Sequence, residues 1–101
     1  MTRSMKSLEA EYHKSTPKSR AQWERGNPVM PGGVIKGAYF NSPYPHYVER
    51  AEDCYVWDID GNRYVDFGNH HSAMLLGHSH PDVVAAIKQE VERGLGMGGP
   101  T

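Results

Sequence analysis

The chain has 101 residues, 38% of them hydrophobic, and its 11 Lys and Arg residues nearly balance 12 Asp and Glu residues. A net charge of -1 leaves no basic stripe for a row of phosphates, so we expect no nucleic-acid partner. No apolar run approaches the roughly 20 residues that span a bilayer, and the first residues lack the apolar core of a secretory signal. We therefore expect a soluble, cytoplasmic protein without a membrane partner.

The single cysteine, Cys54, cannot form an internal disulfide, and we expect it to be buried in a strand.

The apolar content is low for a complete domain. A chain of this length buries only about 60 to 70% of its unfolded surface, so it needs a well-filled core. The 11 glycines and 7 prolines exceed the usual content of a compact domain. Residues 94–101 are glycine-rich and contain no closing element. We expect an incomplete domain that continues beyond Thr101.

An N-terminal helical segment is predicted for residues 1–27. Polar residues dominate residues 2–15, where apolar side chains recur at helical spacing. Thr16 followed by Pro17 is typical of an N-cap and a first helical position, so a second short helix should end near Arg25. The thin apolar face of the first helix consists of Met5, Leu8 and Tyr12.

A connector and a small sheet follow. Residues 28–46 contain too many prolines and glycines for a helix or a central strand, which predicts an irregular connector. Residues 47–67 are rich in aromatic and β-branched side chains, and Asp60-Gly61 is a tight-turn dipeptide, which predicts an antiparallel meander. Alternation would place these side chains on one apolar face: Tyr55, Trp57 and Ile59, with Val65 and Phe67 from the next strand.

The last predicted segment, residues 68–101, consists of a histidine-rich loop, a helix and a glycine-rich loop. Pro81 is suited to the first position of the helix, and Gly94 supplies a stop. The helix carries one apolar stripe, formed by Val83, Val84, Ile87 and Val91.

The histidines raise the question of a metal site. A zinc site usually adds cysteines or two histidines on one helix face, and the sequence has neither pattern. For His78 and His80, at the foot of the predicted helix, we expect instead that one satisfies free amides and the other packs or caps. The five histidines considered are His46, His70, His71, His78 and His80.

Two other motifs are weak. Residues 58–62, Asp-Ile-Asp-Gly-Asn, resemble the start of a calcium loop, but that loop has glycine at its sixth position and glutamate at its twelfth. Here the glycine is fourth and the twelfth residue is Asn69, so a hairpin turn with solvated acids is expected. Residues 96–99 lack the preceding strand and following lysine of a phosphate loop. These patterns alone indicate an α+β fragment without a defined catalytic or metal site.

Four segments in this order resemble the N-terminal region of class III aminotransferases, which are fold-type I pyridoxal-phosphate enzymes. The most similar branch contains glutamate-1-semialdehyde aminomutase and the β-amino-acid and D-phenylglycine aminotransferases. The resemblance covers residues 28–101, and its motifs are specific in combination. The segments are Pro31-Gly-Gly-Val34, Val56 to Phe67, Leu76 to Ile87 and Gly99-Pro-Thr101.

The resemblance implies an α/β transferase fold, in which this chain precedes a missing large domain, and a homodimer. It also implies an aminotransferase or an aminomutase, with pyridoxal 5'-phosphate as electron sink. The aminotransferase would transfer an amino group between an amino donor and a keto or aldehyde acceptor, and the aminomutase would move it within one molecule. The family's Schiff-base lysine, pyridine-binding aspartate and phosphate loop would lie beyond Thr101. No catalytic or cofactor-binding role therefore passes to this chain, including its five lysines, Lys6, Lys14, Lys18, Lys36 and Lys88.

Three residues correspond to the substrate side of the pocket in that family. Tyr39 stands where the aminomutase has a carboxylate-binding arginine, and a phenol offers one neutral hydrogen bond in place of a charged fork. The aminomutase's own substrate is therefore a poorer fit. Lys36 could substitute for the arginine or be a solvated loop charge. His71 replaces an aromatic pocket residue and could contact substrate or be an exposed loop histidine.

A second class of function stays open beside the aminotransferase. The chain could be a small self-contained binding or metal-binding module that uses its histidine-rich loop. A Schiff-base lysine encoded downstream would favour the aminotransferase, and a stop codon directly after residue 101 in the intact gene would favour the module.

Overall fold

A computed structural model describes residues 4–94. It contains the predicted α+β elements, and the meander and the helix beginning at Pro81 are confirmed. None of the helices in this range is long and apolar enough to cross a membrane. The helices are α1 (Met5–Ser15), α2 (Pro17–Gly26), the single turn α3 (Asn69–Ser72) and α4 (Pro81–Arg93). The strands β1 (Val48–Glu52), β2 (Tyr55–Asp58) and β3 (Arg63–Val65) form one antiparallel sheet in the order β1-β2-β3.

Contacts within the chain define two compact units. The helical unit comprises residues 4–50 and Val56–Tyr64, and the loop unit comprises Ala51–Tyr55 and residues 65–94. The predicted glycine-rich loop lies outside the described residues from residue 95 onwards.

Tyr44 forms the centre of the helical unit and is only 1% exposed. Its ring centroid lies 5.0 Å from that of Tyr12 and 6.0 Å from that of Trp23. Its hydroxyl lies 3.0 Å from Thr16 Oγ1, and Tyr12 donates a 2.9 Å hydrogen bond to its carbonyl. The first helix is thus held by its C-terminal end, whereas Met5 at its other end is 70% exposed.

The connector approaches helix α2 at Gly33. Gly33 has φ of 67°, and a Cβ there would lie 2.9 Å from both the Trp23 ring and the Tyr47 hydroxyl. That hydroxyl donates a 2.7 Å hydrogen bond to the Gly33 carbonyl. Only glycine combines this backbone angle with so close an approach.

Asp60 caps helix α2 from the β2–β3 turn. Its two carboxylate oxygens accept hydrogen bonds from the Lys18 amide at 2.6 Å and the Ser19 amide at 2.9 Å. The Ser19 hydroxyl donates a third at 2.8 Å. The first turn of α2 has no acidic residue, and its N-cap Thr16 makes no side-chain cap. Asp60 therefore supplies the acceptors and the negative charge that a helix N-terminus favours.

Asp58 is buried beneath the same turn, with 1% exposure. One carboxylate oxygen accepts from the amides of Asp60 and Asn62, and the other accepts from the Asn62 side chain and the Tyr64 hydroxyl, all at 2.8 to 3.0 Å. Burial alone would raise the pKa of Asp58, but these hydrogen bonds outweigh it and lower the pKa. The expectation of solvated acids in this turn was therefore wrong.

The covered face of β2 also differs from the prediction. Val56 and Asp58 are buried, whereas Tyr55 and Trp57 are half-buried. The Arg50 guanidinium lies 3.5 Å from the centre of the Trp57 ring, a cation–π contact that accounts for this aromatic on the less buried face. Phe67, the expected apolar partner, is 93% exposed.

In the loop unit, residues 53 and 78 form an antiparallel bridge. The Asp53 amide donates to the His78 carbonyl at 3.0 Å, and the His78 amide donates to the Asp53 carbonyl at 2.8 Å. Cys54 is exposed beside this bridge and not buried in a strand, because it lies in the turn between β1 and β2. Helix α4 begins at Pro81 and ends at Arg93, with Gly94 as the C-cap that the sequence predicted.

We expect Asp60→Ala to weaken the first turn of α2. Loss of an N-cap acceptor costs roughly 0.5 to 2 kcal/mol, so protection of the α2 amides should fall by about twofold to 30-fold. Hydrogen–deuterium exchange of α2 peptides in the full-length protein measures this. Asp82→Ala, which removes the exposed acid in the first turn of α4, is the matched control. Equal exchange of α2 in parent and Asp60→Ala would contradict the capping role.

Candidate functional site

The histidine-rich loop contains a left-handed turn. Asn69, His70, His71 and Ser72 have φ of 45°, 47°, 56° and 66°. A left-handed conformation costs about 1 to 2 kcal/mol for each residue with a Cβ, so the surroundings must hold a run of four. His71, the predicted substrate-side residue, lies in this turn with its side chain exposed.

Asp66 anchors the start of the turn. Its Oδ1 accepts hydrogen bonds from the amides of Gly68 and Asn69, both at 2.9 Å. Its Oδ2 lies 2.7 Å from His78 Nε2. Since an ionised carboxylate only accepts, Nε2 carries the hydrogen in this pair. The hydrogen bonds from His78 and the Asn69 and Gly68 amides hold the pKa of Asp66 below its ordinary value.

Of the roles predicted for the two histidines before α4, capping is not observed at His80 and packing is not contradicted. His78 pairs with Asp66, and its side chain is 14% exposed. His80 stands at the N-cap without a side-chain cap bond. Its Nδ1 is buried without a hydrogen-bond partner among residues 4–94.

An open cavity of about 480 Å³ lies beside the Asp66–His78 pair within the loop unit. Both polar and apolar side chains line it, including Asp53, Cys54, Asp66, Met74 and His78. No group of three or more metal-binding side chains occurs in the described part of the chain.

The other two predicted site residues lie together in the helical unit. Lys36 Nζ is 5.7 Å from the centre of the Tyr39 ring, a weak cation–π distance. Tyr39 ends the short 3-10 turn Gly37–Tyr39 and is 39% exposed. His71 belongs to the loop unit.

The family model for class III aminotransferases matches residues 38–97. The chain belongs to the class III aminotransferase family. Glutamate-1-semialdehyde 2,1-aminomutase of Methanothrix thermoacetophila is 43% identical over 83 residues, which are 82% of this chain and 19% of that protein. This relative supports the predicted aminomutase-like branch.

Solved structures agree with this assignment. The β-phenylalanine aminotransferase of Variovorax paradoxus superimposes with a TM-score of 0.84 at 30% identity, over 91% of this chain and 21% of that one. A transaminase with PLP bound gives a TM-score of 0.80 at 42% identity, over 85% of this chain and 20% of that one. The predicted PLP-dependent transferase fold is thus confirmed. The chain spans about a fifth of the length of these relatives.

No lysine lines this cavity of the described residues. Pyridoxal phosphate needs a lysine for its aldehyde and donors for its phosphate dianion. All five lysines of the chain are exposed, and none lines the cavity. The cavity instead carries the carboxyl groups of Asp53 and Asp66, which would repel a phosphate.

Sequence reasoning missed Asp66 and His78 as a pair. Asp66 was assigned to the end of the meander and His78 to the foot of a helix. The only available signal was an Asp followed two and three residues later by Gly and Asn, a pattern in which the carboxylate bonds to backbone amides ahead of it.

The lowered pKa of Asp66 predicts a pH dependence of stability. Its contribution is complete above the ordinary value of 3.8 and is lost as the pH falls through the lowered folded-state pKa. The melting temperatures of the full-length parent and Asp66→Asn should therefore converge as the pH is reduced from about 5 towards about 3. A difference that stays constant over this range would contradict the assignment.

Proposed function

We propose that this chain is the N-terminal part of a pyridoxal-phosphate-dependent aminotransferase that moves an amino group between a small amino donor and a keto or aldehyde acceptor. The family match over residues 38–97 carries the proposal. Two solved relatives are named an aminotransferase and a transaminase, which supports transfer between two molecules. The Methanothrix thermoacetophila relative is named an aminomutase, which keeps migration within one molecule as the second candidate.

The full-length protein would bind pyridoxal 5'-phosphate through residues outside this chain. The exposure of all five lysines supports a Schiff-base lysine located elsewhere. We propose that residues 68–101 lead into the large domain, and that the enzyme is a cytoplasmic homodimer without nucleic-acid or membrane partners.

We further propose that Tyr39, Lys36 and His71 contribute to the substrate side. Tyr39 replaces the carboxylate-binding arginine of the aminomutase, and the neighbouring Lys36 ammonium supplies a positive charge in that region. A phenol beside an ammonium holds a carboxylate less rigidly than a bidentate guanidinium does. The pair therefore favours a substrate other than glutamate 1-semialdehyde.

The full-length protein and the 101-residue piece should behave differently with the cofactor. The full-length protein should show visible cofactor absorption that disappears when one lysine outside this chain is replaced. It should also transfer an amino group from at least one of β-phenylalanine, L-alanine and L-glutamate.

The isolated piece should neither bind pyridoxal phosphate nor unfold cooperatively. Ordering each residue costs roughly 1 to 2 kcal/mol of backbone entropy, and Ile87 and Val91 on the α4 stripe are 58% and 49% exposed. Circular dichroism melts and absorption spectra of the piece check this. A cooperative melt with lysine-dependent cofactor absorption would overturn the proposal that the chain is only part of the enzyme.

In the full-length enzyme, His71→Ala should impair substrate use more than cofactor retention. Loss of one hydrogen bond or ring contact costs about 1 kcal/mol, so KM for the amino donor should rise about fivefold while cofactor absorption stays unchanged. His70→Ala, from the same turn, is the matched control. Equal kinetics of His71→Ala and the parent would make His71 an exposed loop histidine without a substrate role.

A further inference from the structure

We propose that Asp66 and His78 are positioning residues that hold the His71 side chain at the substrate side. This inference rests on the proposed function, because it requires that His71 contributes to the substrate side. Neither residue needs to touch the substrate.

The first step concerns what the turn requires. A run of four left-handed residues with side chains is unfavourable, so it persists only where other bonds determine it. Within the turn, the Ala73 amide bonds to the Asn69 carbonyl at 3.1 Å and, more weakly, to the His70 carbonyl at 3.4 Å. Bonds of this kind close a turn but do not determine whether it is right-handed or left-handed.

The second step is the carboxylate. By accepting from the Gly68 and Asn69 amides together, Asp66 Oδ1 fixes the direction in which the chain enters the turn. Its second oxygen is held by His78 Nε2 at 2.7 Å, so the carboxylate has little freedom to rotate. The side chains of Asp66 and His78 are only 20% and 14% exposed, which reduces competition from water.

The third step is the support of His78. Two backbone hydrogen bonds to Asp53 fix its main chain. The preceding Gly77 has φ of 78°, and a Cβ there would lie 2.9 Å from the Asp53 carbonyl oxygen. In addition, the Ser79 hydroxyl donates a 2.8 Å hydrogen bond to the Ala51 carbonyl. The imidazole therefore projects from a backbone that is bonded on both sides.

These bonds form a continuous connection from the β1–β2 turn to His71. Because the His71 side chain is exposed, a change in the turn moves it without removing core contacts. Displacement of His71 from the substrate would lose the same contact that His71→Ala removes, which is worth about 1 kcal/mol or about fivefold in KM.

The test is a double-mutant cycle in the full-length holoenzyme, with the most active donor of the three amino acids named above. Asp66→Ala and His78→Ala should each lower kcat/KM by up to about fivefold, which is the loss expected for His71→Ala, mainly through KM, and retain cofactor absorption. In a His71→Ala background, the same substitutions should have little further effect, because the group that they position is gone. Asp53→Asn removes a carboxylate from the same cavity but keeps the backbone bridge, and should match the parent.

If the effects of the Asp66 and His71 substitutions are additive, the two residues act independently and the positioning role is overturned. A normal KM in Asp66→Ala would also overturn it. If Asp66→Ala does not fold, Asp66→Asn retains an oxygen for the two amides, and the same non-additivity is required of it. If the parent enzyme transfers no amino group from any donor, the proposed function is refuted. This result differs from failure of the positioning role, in which the parent is active.

Discussion

The buried carboxylate of Asp58 determines the shape of the β2–β3 turn, and the order of the helical unit depends on that turn. Four hydrogen bonds converge on Asp58, two from backbone amides and two from side chains. The same turn presents Asp60 to the free amides of helix α2. A carboxylate with no exposure would be costly if unpaired, so this site tolerates little change in the residues that donate to it.

The loop unit uses the same chemistry for another purpose. Asp66 also accepts backbone amides just ahead of it in sequence, but its second oxygen binds a histidine and not a tyrosine. In both turns, backbone amides have no acceptor from a helix or a sheet, and a short acidic side chain accepts their hydrogen bonds instead. The difference is burial, since Asp58 is 1% exposed as a residue and the Asp66 side chain is 20% exposed.

Local signals predicted the regular elements well. Pro17, Pro81 and Gly94 mark helix ends by their own backbone restrictions, and the meander followed from alternation and one turn dipeptide. The anchors of the turns could not be predicted, because they depend on contacts between residues far apart in sequence. Asp60 meets Ser19 across 41 positions, and a sequence pattern cannot specify that pairing. The left-handed turn at His70 could not be predicted either, because positive φ is uncommon for any residue with a Cβ, although histidine adopts it more often than most.

The described residues thus combine well-satisfied polar turns with incompletely covered apolar surfaces. Phe67 and Leu75 are 93% and 92% exposed, although the nearby Asp66 carboxylate takes part in three hydrogen bonds. Hydrogen bonds of this kind specify a conformation but add only about 1 kcal/mol each to stability. Apolar burial supplies most folding free energy, and in the proposed enzyme it would come from surfaces outside these residues. The local hydrogen bonds would then determine the conformation of the turns, and apolar contacts with those outside surfaces would stabilise it.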